Sequence, residues 1–282
     1  KEVAADNLIV TTGSQQALDL LGKTLISPGD KVIVEGPTFL ATIQCFRLYG
    51  AELISAPIDG HGVMTEELEK LIAEHKPKFV YLIPTFGNPS GALLPLARRK
   101  KVLELAVKYD TLVVEDDPYG DLYFGEAPPP SLLALSAHVP GSRERLAHCG
   151  SLSKVLSPGL RVGWLVAPPE LLAKATMCKQ FSDAATSTFA QATAAQYLKA
   201  GRLPGTLTRM RAVYAERAQA MGEALRKDLG DAIEFVQPLG GLFVWARMTG
   251  ASGKVADGSA FAKRAIEKGV AFVPGAPFFC AQ

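Results

Sequence analysis

Short runs of β-branched and aliphatic residues alternate with helical patterns along most of this chain, and that alternation restricts the fold more than any other feature. Segments 31–34, 53–56, 79–83, 111–114, 146–149 and 162–166 read as strands, and 15–25, 38–49, 65–74 and 96–109 read as helices. Strand–helix repetition of this kind predicts βαβ units: a mostly parallel sheet with helices on both faces, a three-layer αβα arrangement of the α/β class.

Past Pro168 the pattern changes. Helical sequence dominates to about residue 229, and the stretch 206–228, closed by Gly230, is long enough to link two lobes. Strand-like 235–237 and 242–246, a helix at 259–268 and strand-like 270–273 then suggest a smaller α/β lobe. A boundary near residue 205 is expected, with a large domain over 1–205 and part of a small one over 206–282.

Composition excludes several classes. The 30 Lys and Arg against 28 Asp and Glu leave a net charge of +2, which gives no ground for a nucleic-acid or membrane partner. The run Arg98-Arg99-Lys100-Lys101 lies on a helical pattern and reads as a solvated face. Cys45, Cys149, Cys178 and Cys280 form no CxxC pair and have no histidine at metal-ligand spacing. Free thiols in a reducing compartment are expected, a cytoplasmic setting, with no metal site. No apolar run is long enough to span a bilayer.

Four segments fall where a strand ends and a loop begins, the edge of an open α/β sheet at which ligands bind. Thr11-Thr12-Gly13-Ser14-Gln15-Gln16 leads into a helix whose first amides can seat a phosphate, or which Ser14 simply caps. Pro84-Thr85-Phe86-Gly87-Asn88-Pro89-Ser90-Gly91 is either a plain turn or a loop that projects Asn88 toward a ligand oxygen. Glu115-Asp116-Asp117-Pro118-Tyr119 places carboxylates at the end of a buried strand, where packing does not favour them. They can be metal ligands, an acid or base, or partners of a buried cation. Gly150-Ser151-Leu152-Ser153-Lys154 sets an amine among small hydroxyls after an apolar run, and Arg161 follows seven residues on.

Taken in order, these segments resemble the fold-type-I, class I and II family of pyridoxal-phosphate aminotransferases, from Thr11 to about Gly275. Asn88 precedes Asp116 by 28 residues and Lys154 follows by 38. The resemblance implies the fold-type-I large domain with a smaller C-terminal lobe, pyridoxal 5′-phosphate as cofactor, and Lys154 as the amine that joins it as a Schiff base and shuttles the substrate's α-proton. Asp116 then pairs with the pyridine nitrogen, and Tyr119 and Asn88 bond the phenolic oxygen. Gly13, Ser14 and Gln15 hold the phosphate, joined by Ser151 and the Arg161 fork, with Ser153 also among the cofactor-binding residues. Phe39 stacks on one face of the ring, or is a core aromatic of its helix, and Pro118 packs on the other. Amino-acid and 2-oxo-acid substrates and a homodimer are implied as well. Gly240-Gly241-Leu242-Phe243-Val244-Trp245 is similar to the subgroup holding 2-aminoadipate and kynurenine aminotransferases, which also includes MocR-type regulator effector domains.

The same family carries an N-terminal segment ahead of the first motif and an arginine near its C-terminus for the substrate carboxylate. Here the chain opens about ten residues before Gly13 and stops at Gln282, so truncation at both ends, or an incomplete substrate site, is expected. A MocR-like regulator with its DNA-binding domain upstream is the alternative. Ser151-Leu152-Ser153-Lys154 also fits the S-x-x-K pattern of serine acylases, but the companion motifs are missing, as are both glycine-rich nucleotide loops.

Overall fold

The computed structural model describes residues 3–249 and 258–280. Eight strands form one sheet: β1 (Leu8–Thr11), β2 (Lys31–Gly36), β3 (Glu52–Asp59), β4 (Gly62–Val63), β5 (Phe79–Leu82), β6 (Leu112–Asp117), β7 (Leu146–Ser151) and β8 (Gly163–Val166). Their order is β1-β8-β7-β6-β5-β2-β3-β4. The run from β7 to β3 is parallel throughout, while β8 against β7, β1 against β8 and β4 against β3 are antiparallel. Chain order reverses between β5 and β6 on one side and β2 on the other, and there the carboxyl ends of the strands converge.

Helices cover both faces: α1 (Ser14–Leu25), α2 (Leu40–Leu48), α3 (Thr65–His75), α4 (Leu96–Lys108), the single turn α5 (Leu132–Leu135) and α6 (Pro169–Ser182). Period-two alternation divides the strand side chains between two cores. Val32, Val34, Phe79, Tyr81 and Val114 pack with Leu18 and Leu21 of α1, Phe46 of α2 and Leu172 of α6. Ile33, Val80, Leu82 and Val113 pack on the other face with Leu68 of α3, Leu103 of α4 and Leu132 of α5. Each such aliphatic or aromatic side chain contributes about 1.5–3 kcal/mol by leaving water. A one-residue slip of β5 would bury Tyr81 on the wrong face, so the register is strongly specified.

After β8 come α7 (Thr188–Lys199), the long α8 (Leu203–Leu229), a two-stranded ribbon of β9 (Ile233–Phe235) and β10 (Ala246–Met248), and α9 (Gly258–Glu267). Two expectations fail here. Residues 242–245 are not strand; the chain just before them, 239–241, pairs instead with the 122–124 loop, where Gly241 N–H donates to Leu122 O at 2.8 Å and Phe124 N–H to Leu239 O at 2.8 Å. Residues 270–273 have no strand partner among the described residues, and Val270 and Val273 are exposed.

Candidate active site

Asp116 and Tyr81 share one face of the sheet, as their positions on adjacent strands demand: β5 and β6 pair Tyr81 with Val114, two residues before Asp116. Both side chains are buried. Tyr81 Oη donates to Asp116 Oδ2 at 2.7 Å, while Asp116 Oδ1 is buried without a hydrogen-bond partner. Burial pushes this carboxyl up to about 6, against the pull of the Tyr81 hydrogen bond. An unsatisfied carboxylate oxygen at the end of a central strand costs stability unless something protonated fills the space before it.

Tyr119 is buried three residues on, its ring edge-to-face with Phe243 at 5.8 Å between centroids. Burial and the neighbouring Asp116 charge push its phenol up to about 12, and a hydrogen bond from the Asn88 side chain works the other way. Asn88 reaches it from the loop after β5, so the second and third segments meet.

The first and fourth segments meet too. Gly13, not Ser14, occupies the cap position of α1, and no side chain caps the helix. Ser14 therefore does not cap its own helix, and the amides of Ser14 and Gln15, in its first turn, have no carbonyl partner among the described residues. A Cβ at Gly13, whose φ is +77°, would lie 2.4 Å from Arg161 Nη2, so the guanidinium rests directly over this turn. Arg161 is itself left-handed at φ +52°, and its Nη1 donates to Ser153 Oγ at 3.1 Å. The close seating needs a second glycine, since a Cβ at Gly163 of β8 would lie 2.6 Å from the Ser14 nitrogen. Ser151 Oγ accepts from Ser153 N–H at 3.0 Å, folding the chain back after β7. Lys154, half-buried in the turn that follows, pairs with no carboxylate or hydroxyl among the described residues. The Arg161 guanidinium and the start of α1 thus face one another across the Gly13 turn, an arrangement suited to an anion.

The structure gives Gln16 and Arg99 partners that the sequence did not indicate, and it selects one of the readings left open for Glu115. Gln16 Oε1 accepts from Thr12 N–H and Lys179 Nζ, both at 2.8 Å, and Lys179 also bonds Asp183, tying the start of α1 to α6. Glu115 faces the opposite side of β6 from Asp116. It accepts from His148 Nδ1 at 2.8 Å and from the amides of Leu132 and Leu133, so it is the partner of a buried cation. Burial alone would favour the neutral pair. The short bond overrides it, lowering the Glu115 carboxyl and raising the His148 imidazole. The basic run on α4 corrects another expectation. Arg99 is fully buried, donating to Leu94 O at 2.8 Å, Pro84 O at 2.9 Å and Thr85 Oγ1 at 2.8 Å, and Arg98 pairs with Asp59. Arg99 thereby pins both ends of the loop that carries Asn88. Phe39 precedes α2 instead of lying on it, and packs against the α1/α2 core.

The family model for aminotransferase class I and II matches residues 1–282. The chain belongs to the class I and II aminotransferase family. A relative, the 2-aminoadipate transaminase of Thermus thermophilus, is 44% identical over 279 residues, which is 98% of this chain and 68% of the relative. The crystal structure of LysN, an α-aminoadipate aminotransferase of the same organism complexed with N-(5′-phosphopyridoxyl)-L-leucine, matches with TM-score 0.92 at 41% identity over 98% of this chain and 69% of that one. An HTH-type transcriptional regulator of Bacillus subtilis, YisV, is 31% identical over 243 residues, 86% of this chain and 49% of the regulator. The chain spans about two thirds of the length of its aminotransferase relatives.

The cofactor of this aminotransferase family, pyridoxal 5′-phosphate, fits the residues described. The orphaned Asp116 Oδ1 suits a protonated pyridine nitrogen, the Gly13–Arg161 turn suits a phosphate, and Lys154, unpaired among the described residues, would supply the amine. No group of His, Cys, Asp or Glu among the described residues is arranged to hold a metal.

Proposed function

We propose that the protein moves an amino group from an L-amino acid of the 2-aminoadipate, aromatic or branched-chain type to a 2-oxo acid such as 2-oxoglutarate. The observation that carries this reading is the free Oδ1 of buried Asp116, for which the described residues supply no hydrogen-bond or cationic partner. The 2-aminoadipate relative supports the donor class. Bound there, the cofactor supplies an electron sink for the carbanion left when the α-proton departs. Asp116 keeps a proton on the pyridine nitrogen, and Tyr119 with Asn88 orients the ring through its phenolic oxygen. Gly13, Ser14, Gln15, Ser151, Ser153 and Arg161 anchor the phosphate. The Lys154 amine takes the α-proton at Nζ and returns it, and Phe39 covers one ring face.

The same reading includes a homodimer, supported by the nearly full exposure of the Phe181 and Phe189 rings near the Thr12–Asp183 bond, and a cytoplasmic setting, supported by four free cysteines. No helix among the described residues is long and apolar enough to cross a membrane. The likeness to YisV favours one second reading, a cofactor-sensing effector domain of a DNA-binding regulator.

Protein saturated with pyridoxal phosphate, reduced with borohydride and digested, should carry the adduct on Lys154. An adduct on a different lysine, or none, would sink the assignment. Turnover with amino donors and 2-oxoglutarate by the full-length protein separates enzyme from sensor.

A further inference from the structure

Phe79–Leu82 is a fully buried strand in which Tyr81 alone carries a polar group. A phenol in such a place is destabilising unless its hydroxyl is paired. Here it is paired twice. Thr42 Oγ1, itself fully buried on α2, donates to Tyr81 Oη at 3.2 Å, and Tyr81 Oη donates to Asp116 Oδ2 at 2.7 Å. The hydroxyl has one proton to give, and with Thr42 donating to its oxygen that proton goes to Asp116.

We propose that Tyr81 is a positioning residue of the cofactor site: oriented by Thr42, its hydroxyl holds one oxygen of Asp116 so that only the other is presented to the pyridine nitrogen. This rests on the assignment of Asp116 given above. The division of the carboxylate is visible directly, since Oδ2 is bonded and Oδ1 is buried without a partner. Fixing Oδ2 stops the carboxylate from rotating about its Cβ–Cγ bond, so the free oxygen keeps one direction.

The tie also controls charge. Facing this carboxyl are Glu115 and Asp117 on its own strand, His148 and Cys149 on β7, Tyr119 from the following loop, and Tyr81 on β5. Only Tyr81 and His148 favour the anion, and His148 already bonds Glu115. Without the Tyr81 proton, burial would leave Asp116 protonated nearer neutral pH and unable to hold a pyridinium.

Tyr81→Phe and Thr42→Val test this in two ways. In cofactor-free protein, the infrared carboxyl band that Asp116→Asn removes reports the titration of Asp116, at about 6 in the parent. Tyr81→Phe should titrate about one pH unit higher, with Thr42→Val moving the same way by less. Equilibrium dialysis should show pyridoxal phosphate bound about tenfold more weakly by Tyr81→Phe. Were Tyr81→Phe unable to fold, Thr42→Val decides, because it removes one hydroxyl and keeps the volume. A parent that binds cofactor while both variants titrate and bind as it does would overturn the role of Tyr81 alone. A parent that binds no cofactor would overturn the reading of the site together with the role.

Discussion

Glu35 provides a test of the electrostatics under the site. Its side chain, 7% exposed at the end of β2, accepts from Ile83 N–H at 2.8 Å and has no cationic partner among the described residues. Burial lifts the carboxyl from 4.5 to about 8, with the Ile83 amide pulling weakly the other way. A carboxyl whose pKa is raised on folding binds its proton more tightly in the native state, so stability falls as pH rises from the unfolded pKa through the folded one. By about pH 6.5 the loss is about 3 kcal/mol, and between about pH 6.5 and about pH 8.5 a further loss of about 2 kcal/mol accrues. Glu35→Gln keeps an acceptor for Ile83 and cannot ionise. Asp116 and Asp117, raised to about 6, and His148, also raised, give slopes of the same sign. They are present in both proteins, so the difference between the two isolates Glu35. Urea unfolding of the cofactor-free proteins across that pH range should show the parent losing stability faster than Glu35→Gln, with a gap that widens by about 2 kcal/mol. Parallel curves would refute the claim that Glu35 is held protonated by burial.

Two other variants probe the anchors of the site. Arg99→Met strands Leu94 O and Thr85 Oγ1 beneath the Asn88 loop and leaves Pro84 O with only the Leu94 N–H, so it should cost about 2–4 kcal/mol in urea unfolding, with Arg99→Lys intermediate because an ammonium cannot span the same fork. A loss under about 1 kcal/mol would show that those acceptors find water. Gly13→Ala drives a Cβ into Arg161 and strains a backbone that only glycine adopts easily, and it should weaken pyridoxal-phosphate binding by about tenfold or more, at a stability cost of about 1–3 kcal/mol. Unchanged affinity would mean that Arg161 does not seat the phosphate.

Asp116 and Lys154 were legible in the sequence because each follows an apolar run, whereas Asn88, Tyr119 and Arg161 were legible through the family resemblance. Arg99, Glu35 and Gln16 were not, for two reasons. Arg99 is hidden inside a basic run, where charge alone does not say which residue turns inward. Glu35 lies at the end of a strand and Gln16 in the first turn of a helix, and their partners lie on other elements: Ile83 for Glu35, and Lys179, 163 positions away, for Gln16. Tyr81 did carry a signal, a hydroxyl in a strand with no water near it, but nothing local names its acceptor.

The sequence by itself determined the parallel sheet and the order of its cofactor motifs, because period and punctuation are local properties of the chain. Tertiary structure decided which strand faces share a side chain's company. Residues 81 and 116 meet only because β5 and β6 are adjacent and in register, and 239–241 pair with the 122–124 loop, which no local pattern announces. Register, burial and the pairing of distant polar groups depend on the packing of the whole sheet, and no window of sequence contains them.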